Sequence, residues 1–574
     1  MALASRIDLY IVAIYMLLMV TIGVVLSRFN KSDSDFFKSG NKMPWWLSGF
    51  SMFMTSFSVY TFTGGAGLAY RAPSVALLMY LCNGIVMIPA VWFLAARWRR
   101  TRSSTSMSYL SERYGVSTNQ LYSWTHLGVA IVQGGVFLLA LGKFVSVAIG
   151  TPLAPTIAVC GLVIALYCLI GGLWAVVVTD TLQFMVLFPC ALVVLGLGLY
   201  ELGDISLLVS GAPEGFWKIQ TQEFDWFYLL AYMVMMFFAM SSGPAAQRFF
   251  SVKNEKEARK VALLTMVLLI VAPVIWLTPP IITRILGLDL SSITMGLNAP
   301  QEAAYVAFCM KFLPVGGMGI MLSAMLAATM SSLSSSFNNY AAVITDDIIR
   351  QIFWKGASKK TLLLIGRVVT LVLGALVIIA AIIQAEVKGG VFLLMMTIGG
   401  VVIVPAGVPI VCGLFYRRTP RWAGLASYGT GLAIGIGYLL LGKEITYTQQ
   451  IFAIGGISTL IYFLPGLFIT ARGKYKQALD SFFAKVGTPV ASEEVGDTEY
   501  TDVGSYRVTG WTTVGMGLAV MTLFFLDLDL TGRIINLSIG TLITLFGLFV
   551  ILACSYAQRQ KKGRLAGVTD TAAG

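Results

Sequence analysis

Five serines fall within six residues, at Ser331, Ser332, Ser334, Ser335 and Ser336. On a helix, Ser331, Ser334 and Ser335 stand at i, i+3 and i+4 and share one face, while Ser332 points about 100° away. Hydroxyls placed in lipid need partners, so this face should look into the protein. Hydroxyl and carbonyl oxygens suit a hard monovalent cation such as Na⁺ better than thiolate or imidazole does. Helix packing through small residues enriches serine in the same way, so the serines alone leave a cation site and a packing seam equally open. Asp180, flanked by Thr179 and Gln183, lies a little inside the end of another apolar run. A carboxylate there is either a functional group or an interfacial cap. As a functional group it supplies the one negative charge a hydroxyl-rich sodium site needs.

Other polar residues interrupt apolar runs. Asn83 is either pocket lining or glue between helices. Gln133 stands in the next run, and Lys143, near that run's outer end, is expected to snorkel. His126 is the single histidine, so a histidine-based metal site is not expected. The seven cysteines show no ligand spacing and read as small buried hydrophobes.

The elements that must position these groups are membrane helices. The 574 residues are 57% hydrophobic with a mean hydropathy of +0.81, and only 12% are charged, about half the share of a soluble domain. Fifteen candidate spans are expected, near 8–28, 45–70, 74–96, 120–149, 153–173, 175–200, 225–247, 262–286, 303–345, 362–385, 389–415, 421–441, 449–470, 510–528 and 533–555. The ninth is too long for one crossing, and residues 303–313 are expected to form a short surface helix ahead of it. No cleavable signal peptide is evident, since the first apolar stretch is long enough to span. With the N-terminus outside, most of the 40 Lys and Arg residues fall in alternate loops, Arg248, Lys253, Lys256, Arg259 and Lys260 among them. That asymmetry predicts a cytoplasmic C-terminus and explains the net charge of +13 without nucleic acid.

Two spans should be broken. The second has a polar middle (Ser56, Ser58, Thr61, Thr63) followed by Gly64, Gly65 and Gly67. The seventh ends in Gly243 and Pro244. Interrupted helices five spans apart are the pattern of inverted-repeat transporters, in which half-helix ends present polar backbone near the midplane. The expected fold is an all-α polytopic membrane protein with an inverted five-helix repeat core and additional peripheral helices. Its parts are an N-terminal span and loop (1–44), a first repeat (45–200), a second repeat (225–415), peripheral spans (421–470), a mobile cytoplasmic linker (471–509) and C-terminal spans and tail (510–574). The linker carries the acidic cluster Glu493, Glu494, Asp497, Glu499 and Asp502.

Over roughly residues 5–470 the chain resembles the sodium/solute symporter family, which includes sodium–glucose cotransporters and the bacterial proline and sialic acid symporters. FTGGAGLAY at 62–70, GGLWAVVVTDTLQ at 171–183, QRFFSVKNEKEARK at 247–260 and AATMSSLSSSFNN at 327–339, with TDD at 345–347, carry the likeness, and VCGLFYRR at 411–418 agrees. The resemblance implies a first sodium site made of the carbonyls of Met54, Phe57 and Ala328 with the hydroxyls of Ser331 and Ser332. It implies a second at Asp180, Ser331, Ser334 and Ser335, as in members that couple two sodium ions. The family's inner hydrophobic gate falls at Phe238. The Ser58 and Thr61 hydroxyls match members that bind a carboxylate, but the arginine some of them use is absent. The asparagine and the Glu–Gln pair of sugar-transporting members are absent too. Ser58, Thr61, Asn83, Gln133 and Phe238 are the expected solute-binding residues.

The expected function is sodium-coupled symport of a small polar organic solute (sugar, polyol, organic acid or amino acid) by alternating access, with two Na⁺ per solute. Na⁺ enters as a co-transported ion, with no organic cofactor. A transporter-like sensor is the alternative; the short tail after Ala553 argues against it. No paired carboxylates or Cys/His arrangement suggest an enzyme. The expected setting is an inner or plasma membrane, the expected partners are the solute and the bilayer, and the expected working unit is a monomer.

Overall fold

The computed structural model describes residues 3–27, 43–56, 58–103, 107–169, 173–221, 223–291, 293, 298–387, 390–441, 446–491, 503–526 and 528–572, and among them all regular structure is helical. The chain is an all-α polytopic membrane protein. Each of the fifteen expected spans is a helix or a pair of half-helices. Twelve helices among the described residues are long and apolar enough to cross a membrane, Leu153–Cys168 and Thr509–Phe525 are shorter apolar helices, and the second span is split.

In chain order the helices are α1 (Arg6–Ser27), α2 (Trp45–Thr55), α3 (Gly64–Arg71), α4 (Pro73–Arg100), α5 (Val116–Ile149), α6 (Leu153–Cys168), α7 (Leu173–Leu202), α8 (Trp226–Ser241), α9 (Gly243–Phe250) and α10 (Glu255–Ile285). They continue with α11 (Ala304–Phe312), α12 (Gly317–Ala342), α13 (Lys359–Ala385), α14 (Gly390–Cys412), α15 (Arg421–Leu440), α16 (Tyr447–Phe463), α17 (Gly473–Gly487), α18 (Val503–Met521) and α19 (Leu530–Ala572).

Both expected breaks are present. Helix α2 stops at Thr55, where the Ser56 N–H turns back to the Met52 and Phe53 carbonyls. A 3₁₀ turn at Val59–Phe62 follows, with the Ser58 hydroxyl accepting the Tyr60 N–H at 3.2 Å. Helix α8 stops at Ser241, and Ser242 is extended (φ −139°, ψ −176°). Pro244 falls in the first turn of α9, where a missing N–H costs nothing; it opens the second half-helix rather than interrupting the first.

Burial ranks the helices. The most apolar window of the helix running from Gly317 to Phe353 is 94% buried, against 28% for α1 and 33% for α13, so the serine-rich α12 is the central rod. Helices α18 and α19 pack on each other, and Phe546 of α19 reaches Phe184 and Phe188 of α7.

Two expectations fail. Helix α11 is not on the surface: Tyr305, Phe308 and Cys309 are fully buried, with Tyr305 edge-on to Phe62 at 4.9 Å. Its apolar residues run all round, which suits burial within the bundle. The stretch read as a mobile linker contains the docked helix α17, with Leu479, Phe482 and Val486 buried. Arg113 donates to the Tyr475 hydroxyl at 2.5 Å, Arg102 to the Lys485 carbonyl at 3.1 Å, and the Val490 N–H to Glu255 at 2.8 Å. The amphipathic spacing of those three apolar residues is masked by a polar average composition. The acidic cluster 493–502 lies outside the described residues.

Candidate functional site

The break between α2 and α3 faces α12, and the described residues expected at the first ion site meet there. The Ser332 hydroxyl sits between the Ala328 carbonyl at 3.2 Å and the Met54 carbonyl at 3.5 Å. Met54 lies in the last turn of α2, where carbonyls lose their intrahelical partners. The Ser331 hydroxyl is fully buried and lies beside the Asp180 carboxylate. Met54, Ala328, Ser331 and Ser332 therefore offer neutral oxygens at one helix break, a donor set that fits Na⁺ as cargo. Phe57 lies outside the described residues.

The second expected set holds a residue that sequence reasoning placed in a loop. Arg248, on the half-helix α9, is fully buried and points back among these groups. Its Nη2 lies 3.4 Å from Asp180 Oδ2 and donates to the Ser335 hydroxyl at 2.6 Å and to Thr55 Oγ1 at 3.2 Å; its Nε donates to Ser51 at 2.8 Å. The Ser51 hydroxyl in turn donates to Asp180 Oδ2 at 2.5 Å. Thr55 and Ser335 are 3.0 Å apart. Ser334 turns away and donates to the Ser331 carbonyl at 3.2 Å. Asp180 Oδ1, Arg248 Nη1 and the Gln183 side-chain amide find no partner. A charged side chain so soon after a helix break was the available signal; the run of loop charges behind it hid it.

The solute candidates divide. Ser58, Thr61, Asn83 and Gln133 line one cavity of ≈170 Å³ between α8, α5, α12, α14 and the turn after α2. Asn83 Oδ1 accepts the Tyr232 hydroxyl at 2.9 Å, so it serves both as lining and as a tie between helices. Phe238, expected at the gate, is off the lining and packs on Gly407 of α14. Sequence reasoning missed Tyr60, Tyr80, His126, Trp276 and Tyr340, all lining residues; aromatic residues are too common in membrane spans to mark a pocket. The lining among the described residues contains hydroxyls, amides, one imidazole and aromatic faces, and no Asp, Glu, Lys or Arg. Thr55 belongs both to this lining and to the Arg248 network.

A wider vestibule of ≈890 Å³ lies beyond, lined by Arg71, Glu223, Asp225, Gln301, Glu302 and Gln449 among others. Met396 lines both spaces. Between them α3 and α14 touch closely, since a Cβ on Gly64 would stand 2.9 Å from the Tyr60 ring and 3.0 Å from Val391. Lys143 does not snorkel. It is buried against Glu302 at 2.6 Å, because its helix position faces the loop before α11 rather than lipid.

Comparison with known proteins agrees with this architecture. The family described as "Sodium:solute symporter family" matches residues 36–431. Sodium/myo-inositol cotransporter 2 of Rattus norvegicus is 25% identical over 77% of this chain and 71% of its own length. Sodium/glucose cotransporter 1 of Ovis aries is 25% identical over 75% and 71%. A Na⁺-coupled sialic acid symporter, solved in a substrate-bound outward-open state, superposes with a TM-score of 0.71 at 18% identity, covering 82% of this chain and 99% of that one. A nucleobase-cation-symport-1 family transporter in a closed conformation with bromovinylhydantoin bound gives 0.51 at 12% identity, over 79% and 99%.

Proposed function

The chain belongs to the sodium:solute symporter family, and from that premise we propose that it moves an uncharged, polyhydroxylated solute across the membrane with sodium, by alternating access. The observation that carries the solute class is the cavity without a charged side chain. A carboxylate or ammonium group there would be desolvated without a counter-charge, which is costly. Sugar or polyol hydroxyls instead match the hydroxyls, amides and imidazole of Ser58, Thr61, Asn83, Gln133 and His126, with Trp276 and Phe137 as apolar faces. The named substrates of the two relatives, myo-inositol and glucose, have this chemistry.

The first sodium binds at Met54, Ala328, Ser331 and Ser332 and holds the broken helix against α12. Thr55 then joins the solute lining to the Asp180 network, so that solute and ion favour the same arrangement of α2. The second sodium, at Asp180, Ser331 and Ser335, is taken in a conformation in which α9 has withdrawn Arg248. The face bearing Arg99, Arg113 and Lys485 is cytoplasmic, which puts the vestibule outside.

Uptake into proteoliposomes tests this reading. Myo-inositol or glucose should accumulate with an inward sodium gradient and not with an equal potassium gradient. Accumulation of proline or sialic acid in their place would overturn the solute class.

A further inference from the structure

The Lys143–Glu302 pair lies outside both the solute cavity and the sodium residues, and the function above does not use it. Both side chains are nearly fully buried, at 5% and 3% exposure. Glu302 Oε2 takes the Lys143 ammonium at 2.6 Å, and Oε1 accepts the Val391 N–H at 2.8 Å in the first turn of α14. Gly390, just before, has φ +77°, and a Cβ there would overlap Glu302 Oε1. A Cβ on Gly67 of α3 would stand 3.2 Å from Glu302 Cγ. One carboxylate thus holds α5, α14 and its own loop together and packs against α3.

Helices α5 and α14 and the turn before α3 also border the solute cavity. Helix α5 supplies His126 and Gln133, α14 supplies Met395 and Met396, and the turn before α3 supplies Tyr60 and Thr61. Tyr60 of the cavity lining meets Gly64 of the vestibule lining beside Val391, and Met396 lines both spaces. Parting α3 and α14 there moves Val391 and Gly390 off the carboxylate. Glu302 also lines the vestibule, so water reaches the pair as soon as the gap opens. A dry ion pair tolerates loss of a partner poorly, whereas hydrated charges separate at little cost. Parting the pair is therefore costly while it stays dry and cheap once water enters.

We propose that Glu302 and Lys143 form the latch of the vestibule-side gate, and that its release admits solute to the cavity. The proposal rests on alternating access but not on which ion or solute is carried. Its test is read without either.

The full chain, with its seven cysteines replaced by serine and Met395→Cys added, is reconstituted and exposed to a membrane-impermeant maleimide on the vestibule face. Labelling should be slow in that background. It should rise roughly tenfold with Glu302→Gln, which still accepts the Val391 N–H, and with Lys143→Met, a change matching about 1.4 kcal/mol of latch energy. Lys143→Arg keeps the charge and should stay near the background rate. Unchanged labelling in Glu302→Gln and Lys143→Met protein that elutes as a single species overturns the proposal. Loss of folded protein in both assigns the pair to folding instead of gating and overturns it as well. If labelling rises as expected while sodium drives no uptake, the latch stands and the sodium reading falls.

Discussion

Among the described residues two ion pairs are fully buried in this bundle, one beside α2 and one beside α3, and they are built differently. Lys143 and Glu302 meet directly at 2.6 Å, and both carboxylate oxygens are satisfied. Asp180 and Arg248 stand 3.4 Å apart, with Ser51, Thr55, Ser331 and Ser335 around them, and Asp180 Oδ1 and Arg248 Nη1 left without a close hydrogen bond. Buried polar groups are ordinarily all paired, and each exception needs a reason. A closed pair has nothing more to bind and can only hold or release. An open one keeps oxygens in reserve for another cation. The contrast separates a clasp from a site by hydrogen-bond completeness, without reference to charge, since each pair is neutral overall.

The comparison breaks most easily at the open pair. Asp180→Ala strands a buried guanidinium, and removing one partner of such a pair costs about 3–5 kcal/mol. The expected outcome is a large fall in the thermal midpoint, recovered in good part by Asp180→Asn with Arg248→Gln. If the single variant melts like the parent, the network is not as dry as its burial implies. Under the two-ion reading, Asp180→Asn with Arg248→Gln should also turn sodium dependence of uptake from sigmoidal to hyperbolic.

Ser332→Ala sharpens the contrast without touching charge. It removes the hydroxyl between Met54 and Ala328 and should raise the sodium concentration for half-maximal uptake by roughly tenfold or more, as loss of a hydrogen-bonding group beside a charge costs about 1.5–3 kcal/mol. A sodium titration of uptake measures this, and an unshifted curve would move the first ion elsewhere. Asn83→Ala leaves the Tyr232 hydroxyl without its acceptor and should weaken solute affinity by about tenfold with the sodium constant little changed, the cost of one buried unpaired group being about 1–3 kcal/mol. Competition of unlabelled solute for uptake separates the two constants.

The smallest effect belongs to a third ion pair that serves as the control. Arg71 and Glu223 meet at 3.2 Å at the vestibule mouth but are 42% and 58% exposed. Arg71→Ala should change stability by less than about 1 kcal/mol. A fall as large as that of Asp180→Ala would mean that charge, not dryness, distinguishes these pairs.

What the sequence determined was local. Apolar length set the helices, glycines and polar runs set the breaks at residues 56–63 and 242, and i, i+3, i+4 spacing put Ser331 and Ser335 toward one side of α12. These follow from the geometry of a single helix, which periodicity records. The destination of Arg248 was not local. In the chain it stands beside Lys253 and Lys256 and reads as one more loop charge, yet it reaches Asp180, 68 residues away. Glu302 and Lys143 are 159 residues apart, and nothing in the spacing of either announces the other. Tyr475 and Arg113, 362 residues apart, likewise turn a polar linker into a docked helix. Only the tertiary structure decided these, because a helix's sequence fixes which residues share a face but not what that face meets. In a low-dielectric bundle, the partner it meets determines whether a charge is a clasp, a site or a strap.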